Sequence, residues 1–176
     1  MAGAAQGDRS FRVARCDLAE SKPSELGRLK GSIAKTAPLL GLQPIPARVY
    51  TPADIDSVLD ALARESNGGL LVLPDTFTTV HRDKIVALAD HHRLPAVYPL
   101  RFFATGGGLM AYGADLVELL RLSASYVDRI LRGARPSDLP VQSLTKFELI
   151  INLKTAKALG LDVPPTLLAR ADEVIE

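Results

Sequence analysis

The run Leu70-Leu71-Val72-Leu73-Pro74-Asp75 decides the fold. Four consecutive apolar residues, then a proline and an acid, fit a parallel strand buried on both faces and ended by a breaker and a helix cap. Upstream, Asn67-Gly68-Gly69 closes a helix whose start is equally clear. Thr51 suits the cap, Pro52 the first helical position, and Asp54 the positive end of the helix. Ile55, Val58, Leu59 and Leu62 form the buried stripe of that helix.

The same rhythm runs outward in both directions. Before it stand a strand at Phe11–Cys16, weakened by Arg12 and Arg15, and a strand at Pro44–Tyr50. Between them Leu26, Leu29, Ile33, Ala37 and Leu40 share one helical face. Gly41 stops that helix, and Pro38 shortens its last turn. After it the pattern predicts one helix over residues 79–92 burying Val80, Ile85, Leu88 and Ala89, then a strand at Pro95–Pro99. A Gly106-Gly107-Gly108 turn and a strand at Leu109–Tyr112 follow. Asp115 and Glu118 have capping-box spacing for a long helix with the stripe Val117, Leu120, Ala124, Val127 and Leu131. Residues 134–143 read as a linker, Phe147–Ile151 as a strand, and 153–159 as a short helix. Pro164-Pro165 introduces one more short helix. Strands alternating with helices predict an α/β fold, a three-layer α-β-α sandwich with a mainly parallel sheet. The expected units are a leader at 1–10, an α/β domain at 11–140, and a C-terminal segment at 141–176.

Composition removes several classes of function. With 21 Lys plus Arg against 20 Asp plus Glu, the net charge of +1 gives no reason to expect nucleic acid or an anionic membrane as partner. Trp is absent and aromatics make up 5%, so there is no stacking platform for single-stranded nucleic acid. The single cysteine, Cys16, reads as a buried thiol. The first residues show no basic region or apolar core of an export signal, and no apolar stretch approaches the roughly 20 residues of a membrane helix.

In an open parallel sheet, ligands collect at the carboxyl ends of the strands. The groups at those ends are Asp75 with Thr76, Arg101, and Tyr112 with Asp115, with Phe102 and Phe103 as apolar walls. An acid, a guanidinium and a phenol on one rim suit a small zwitterionic or mixed-polarity solute. Asp75 and Asp115 equally serve as caps for the helices after them, and the two roles are compatible. The triple glycine lacks the dinucleotide spacing and any following Gly-Lys-Ser/Thr, so it reads as a tight turn. Asp90-His91-His92 reads as a solvated helix end, since adjacent histidines diverge around the helix. No zinc spacing, nucleophile elbow or Cys/His pairing is present, so no catalytic residue, metal or cofactor is assigned.

Three series carry a resemblance: 71–76 (Leu-Val-Leu-Pro-Asp-Thr), 93–101 (Arg-Leu-Pro-Ala-Val-Tyr-Pro-Leu-Arg) and 107–116 (Gly-Gly-Leu-Met-Ala-Tyr-Gly-Ala-Asp-Leu). It continues through 126–134, 139–142, 146–160 and 164–176, and covers roughly 11–176. These residues resemble an alphaproteobacterial branch of the ABC transporter substrate-binding protein family, similar to type I periplasmic binding proteins. The resemblance implies two α/β lobes joined by a hinge and closing on a small solute, an ABC permease as partner, and a periplasmic location. It places Asp75, Thr76, Arg101, Tyr112 and Asp115 on loops facing the cleft between lobes, and some relatives bind amino acids. It also implies that this chain is the second lobe plus its hinge-crossing tail, with the first lobe and export signal missing. Residues 146–160 are then expected either to form a homodimer contact through an orphan strand or to fold back on their own sheet. The competing readings are an interaction module or decayed paralogue without a small ligand, and an α/β enzyme.

Overall fold

The computed structural model describes residues 9–15, 25–65, 67–143 and 145–176. The expected leader up to residue 8 and the buried-thiol reading of Cys16 lie outside them. Seven strands form one sheet: β1 (Arg9–Arg15), β2 (Leu42–Arg48), β3 (Leu70–Val72), β4 (Ala96–Tyr98), β5 (Met110–Ala114), β6 (Phe147–Asn152) and β7 (Glu173–Ile175). Their order is β2-β1-β3-β4-β5-β6-β7. The first five run parallel; β6 is antiparallel to β5, and β7 parallel to β6. β1 therefore lies inside the sheet, despite its arginines.

The chain steps from β1 to β2 in one direction and from β2 past β1 to β3 in the other. With right-handed crossovers, helix α1 (Glu25–Thr36) falls on one face, and α2 (Pro52–Ala63), α4 (Arg82–His91) and α5 (Arg101–Thr105) fall on the other. The helices thus flank the sheet on both sides, as the three-layer reading expects. Ile55, Leu59 and Leu62 of α2, Ile85, Val86 and Ala89 of α4, and Phe103 of α5 pack with Leu70, Val72 and Tyr98 into the main core. Lys84 Nζ lies 2.7 Å from Asp56 Oδ2, and His92 Nε2 2.8 Å from Asp60 Oδ1, so two charged contacts also tie α4 to α2. His92 is hence no solvated helix end.

Local chemistry sets the helix starts and stops. Thr51 and Asp54 form a reciprocal capping box for α2. α1 gives way at Ala37 to a 3-10 turn carrying Pro38, and Gly41 ends it with a left-handed φ of 69°. Leu29 and Leu40 of the expected α1 face remain exposed.

Four expectations change. Residues 76–91 form two helices, α3 (Thr76–Val80) and α4, which meet at His81. Thr78 is the buried residue of α3; Val80 points to solvent. Asp75 caps at β3's end, earlier than the apolar periodicity suggested, and the extra turn rotates Val80 out of register. Second, Arg101–Thr105 is helical, although no apolar repeat marks so short a segment. Third, the stripe of α6 (Leu116–Leu131) is bare: none of its side chains is buried. Fourth, of the two outcomes expected for residues 146–160, the chain folds back. β6 has a strand on each side, and Ile150 and Ile151 are fully buried. Helix α7 (Leu153–Leu159) then lies beside α4, where Arg93 donates to Ala158 O at 2.9 Å. A last short helix, α8 (Pro165–Leu168), leads into β7.

Candidate functional site

Because β3, β4 and β5 are adjacent and parallel, their carboxyl ends share one rim of the sheet. The antiparallel β6 brings its first residues to that rim, and β7 does the same. At the tip of β3, Asp75 Oδ1 accepts from Phe77 N at 2.7 Å and so caps α3. Thr76 is exposed beside it. Next comes the loop Pro99-Leu100, which presses against β5. A Cβ placed on Gly113 would sit 1.8 Å from Pro99 O, so only glycine allows this approach. That contact sets where α5, and with it Arg101 and Phe102, stands relative to β5. The triple glycine serves a similar purpose: a Cβ on Gly108 would lie 2.5 Å from the Tyr98 ring. Its backbone keeps close to Tyr98 and Phe103. Burial among these groups pushes the Tyr98 phenol well above its usual range.

At the tip of β5, Asp115 Oδ1 accepts from the backbone N of Val117 and Glu118 at 2.9 and 3.1 Å, capping α6. Its other oxygen lies 2.7 Å from Lys146 Nζ. The hydrogen bond from Lys146, then those from the helix start, hold the Asp115 carboxyl below its ordinary range. The same bond raises the Lys146 ammonium.

Between α5, the start of α6 and the start of β6 lies an open depression of about 500 Å³. Arg101, Phe102 and Thr105 line one side; Asp115, Leu116, Val117 and Arg121 line another; Lys146, Glu148 and Asp172 close it. Three cations face three anions, with the Phe102 ring among them. Arg101 is engaged on two sides, by Glu148 at 3.4 Å and by Glu173. Asp172 accepts from Leu149 N at 2.8 Å. Arg82 stands over the outer face of Phe102, 5.6 Å from the ring centre. Such a site grips charge of both signs beside an apolar surface. An entering solute exchanges its own charges for the partners of Arg101 and Asp115. Among the described residues no group of three or more His, Cys, Asp or Glu side chains could hold a metal ion.

Of the six residues expected from sequence, Arg101, Phe102 and Asp115 come together in this depression. Asp75 and Thr76 share the rim but do not line it. Tyr112 departs from the group. Ala111 and Ile150 pack with Ala104 of α5, so alternation along β5 directs Tyr112 to the opposite face. There its ring stacks on Phe147, 6.0 Å between centres. Lys146, Glu148, Asp172 and Glu173 were missed by sequence reasoning. Their signal was the charge flanking the last two strands, which means nothing until β6 is known to run antiparallel.

The geometry can be set beside known proteins. A family model described as ABC transporter substrate binding protein matches residues 26–175. A search of curated proteins finds no match. Among solved structures, a conserved domain protein from Vibrio cholerae is similar at 25% identity with a TM-score of 0.79, over 94% of this chain and 54% of that one. The ABC domain in complex with L-Trp from Streptococcus pneumoniae is 20% identical, with a TM-score of 0.77, over 95% of this chain and 56% of its own. A substrate binding protein with adhesive properties from Clostridium difficile, in a ligand-free, open structure, is 20% identical with a TM-score of 0.65, over 95% and 54%. At 20% identity the last two show a shared fold. The chain spans about half the length of each of these structures.

Proposed function

Because the chain belongs to the ABC transporter substrate binding protein family, we propose that it is the solute-binding component of an ABC-type importer. It holds a small organic solute with both charged and apolar parts at the carboxyl-end rim of its sheet. The observation that carries this reading is the depression in which Arg101, Asp115 and Lys146 frame the ring of Phe102. A guanidinium, an ammonium and carboxylates beside an aromatic face suit an amino-acid-like zwitterion. The L-Trp held by the similar Streptococcus structure supports that class. Asp75 and Thr76 stand beside the point where the strand order reverses, which is where ligands enter open α/β sheets. They border the solute, while Arg101, Phe102 and Asp115 touch it. The partner of such a component is an ABC permease, and its place of work is the periplasm. Among the described residues no helix is long and apolar enough to cross a membrane.

One open rim buries less of a solute than two closing lobes, so affinity is expected near the millimolar range. Saturation-transfer NMR of the chain with each proteinogenic L-amino acid tests the reading. Transfer to aromatic amino acids that disappears in Arg101→Ala and weakens in Asp115→Asn supports it. Silence across the whole panel, or transfer unchanged in Arg101→Ala, overturns it.

A further inference from the structure

Helix α6 carries two apolar faces, and the chain covers one of them. Leu122, Tyr126 and Ile130 meet Pro136, Leu139, Pro140 and Val141 across a groove, and the Tyr126 hydroxyl donates to Pro140 O. The other face is Val117, Leu120, Ala124, Val127 and Leu131, and every one of these is exposed, Leu120 by 68% and Leu131 by 82%. Their spacing alternates three and four, the seam of a two-helix coiled coil, and at 1.5 Å per residue it extends about 21 Å.

We propose that this seam is an interface between two copies of the chain, packed antiparallel through α6 about a twofold axis. Charge selects the partner and the register. Two antiparallel registers interdigitate the seam. In one, Ala124 faces the second copy's Leu120, and Arg121 meets the second copy's Arg121, which repels. In the other, Ala124 faces the second copy's Val127 and Leu120 its Leu131, and Arg121 comes beside the second copy's Asp128. That arrangement pairs opposite charges twice, once on each side of the axis. Within its own helix Asp128 already bonds Arg132 at 2.9 Å, and its second oxygen stays available to the other copy. Small residues near the axis, Ala124 and Ser125, let the helices approach closely. A seam of two heptads is short, so the dimer is weak and forms in the micromolar range.

Sedimentation velocity on the full chain over a micromolar dilution series tests this, with circular dichroism as a control for folding. A concentration-dependent dimer is expected. Leu120→Glu adds a charge to an exposed position and should raise the dimer dissociation constant at least about tenfold, with an unchanged spectrum. Arg121→Asp and Asp128→Arg should each weaken the dimer, and the two together should return it to within about twofold. A monomer at all concentrations, or a dimer indifferent to Leu120→Glu, overturns the interface. Failure of the paired charge reversal to restore association overturns the register.

Discussion

Helix α4 buries Ile85, Val86 and Ala89 against α2 and the strands β3 and β4, whereas the longer α6 buries none of its side chains. Both carry apolar residues at helical spacing, and both start behind a strand tip. α4 has to lie back on the sheet because its chain continues into the neighbouring parallel strand β4, which requires a crossover against the sheet's face. α6 has no such requirement. Its chain returns as the antiparallel β6, which can pair with β5 from any excursion that brings its end back to the rim. An amphipathic stripe therefore states that something apolar covers it, and topology states whether the chain itself does.

Core truncation probes this contrast most strongly. Ile85→Ala empties a fully packed site and should cost about 2–5 kcal/mol, read from urea denaturation. Leu120→Ala in α6, measured on dilute monomer, should stay within about 0.5 kcal/mol. Equal losses in the two helices would break the comparison. An intermediate effect is expected at the hinge between sheet and α6. Asp115→Asn removes the partner of Lys146 and weakens the cap, and should lower the melting temperature by less than Ile85→Ala does.

Acidity sharpens the same point. The Asp115 carboxyl is held below its ordinary 3.8, so its contribution is fully present above that pH and is lost as pH falls through the depressed folded value. Lys146 is held above its ordinary 10.5, so its contribution is present below that pH and fades as pH rises through the raised folded value. Stability from this pair should be level between the two limits. Urea midpoints followed against pH should show a shallower acid limb in Asp115→Asn than in the parent chain. The smallest effect belongs to the exposed pair of Arg132 and Asp128: Asp128→Asn should move the midpoint of the dilute monomer by a barely measurable amount.

Much of the frame was legible in the residues. Leu70–Val72 is an inner parallel strand, Thr51 and Asp54 cap α2, Asp75 and Asp115 cap α3 and α6, and Gly41 ends the first helix. Each depends on contacts a few residues apart. The helix at Arg101–Thr105 was not legible, since one turn and a half carries no periodicity. Half the candidate site was legible as well: Arg101, Phe102 and Asp115 follow strand tips, and parallel neighbours bring tips together. Tyr112 was misplaced because it sits inside β5, where one step of alternation decides the face.

By itself, then, the sequence determined which segments are strands and helices and where they begin, because caps, glycine turns and apolar periods act within one or two turns of chain. Tertiary structure alone decided that β6 runs antiparallel between β5 and β7, that Glu148 and Glu173 reach Arg101, and that the stripe of α6 stays bare. Those outcomes join residues tens of positions apart. A local pattern records that such a surface must be covered or such a charge matched, but the partner is chosen by the path of the whole chain.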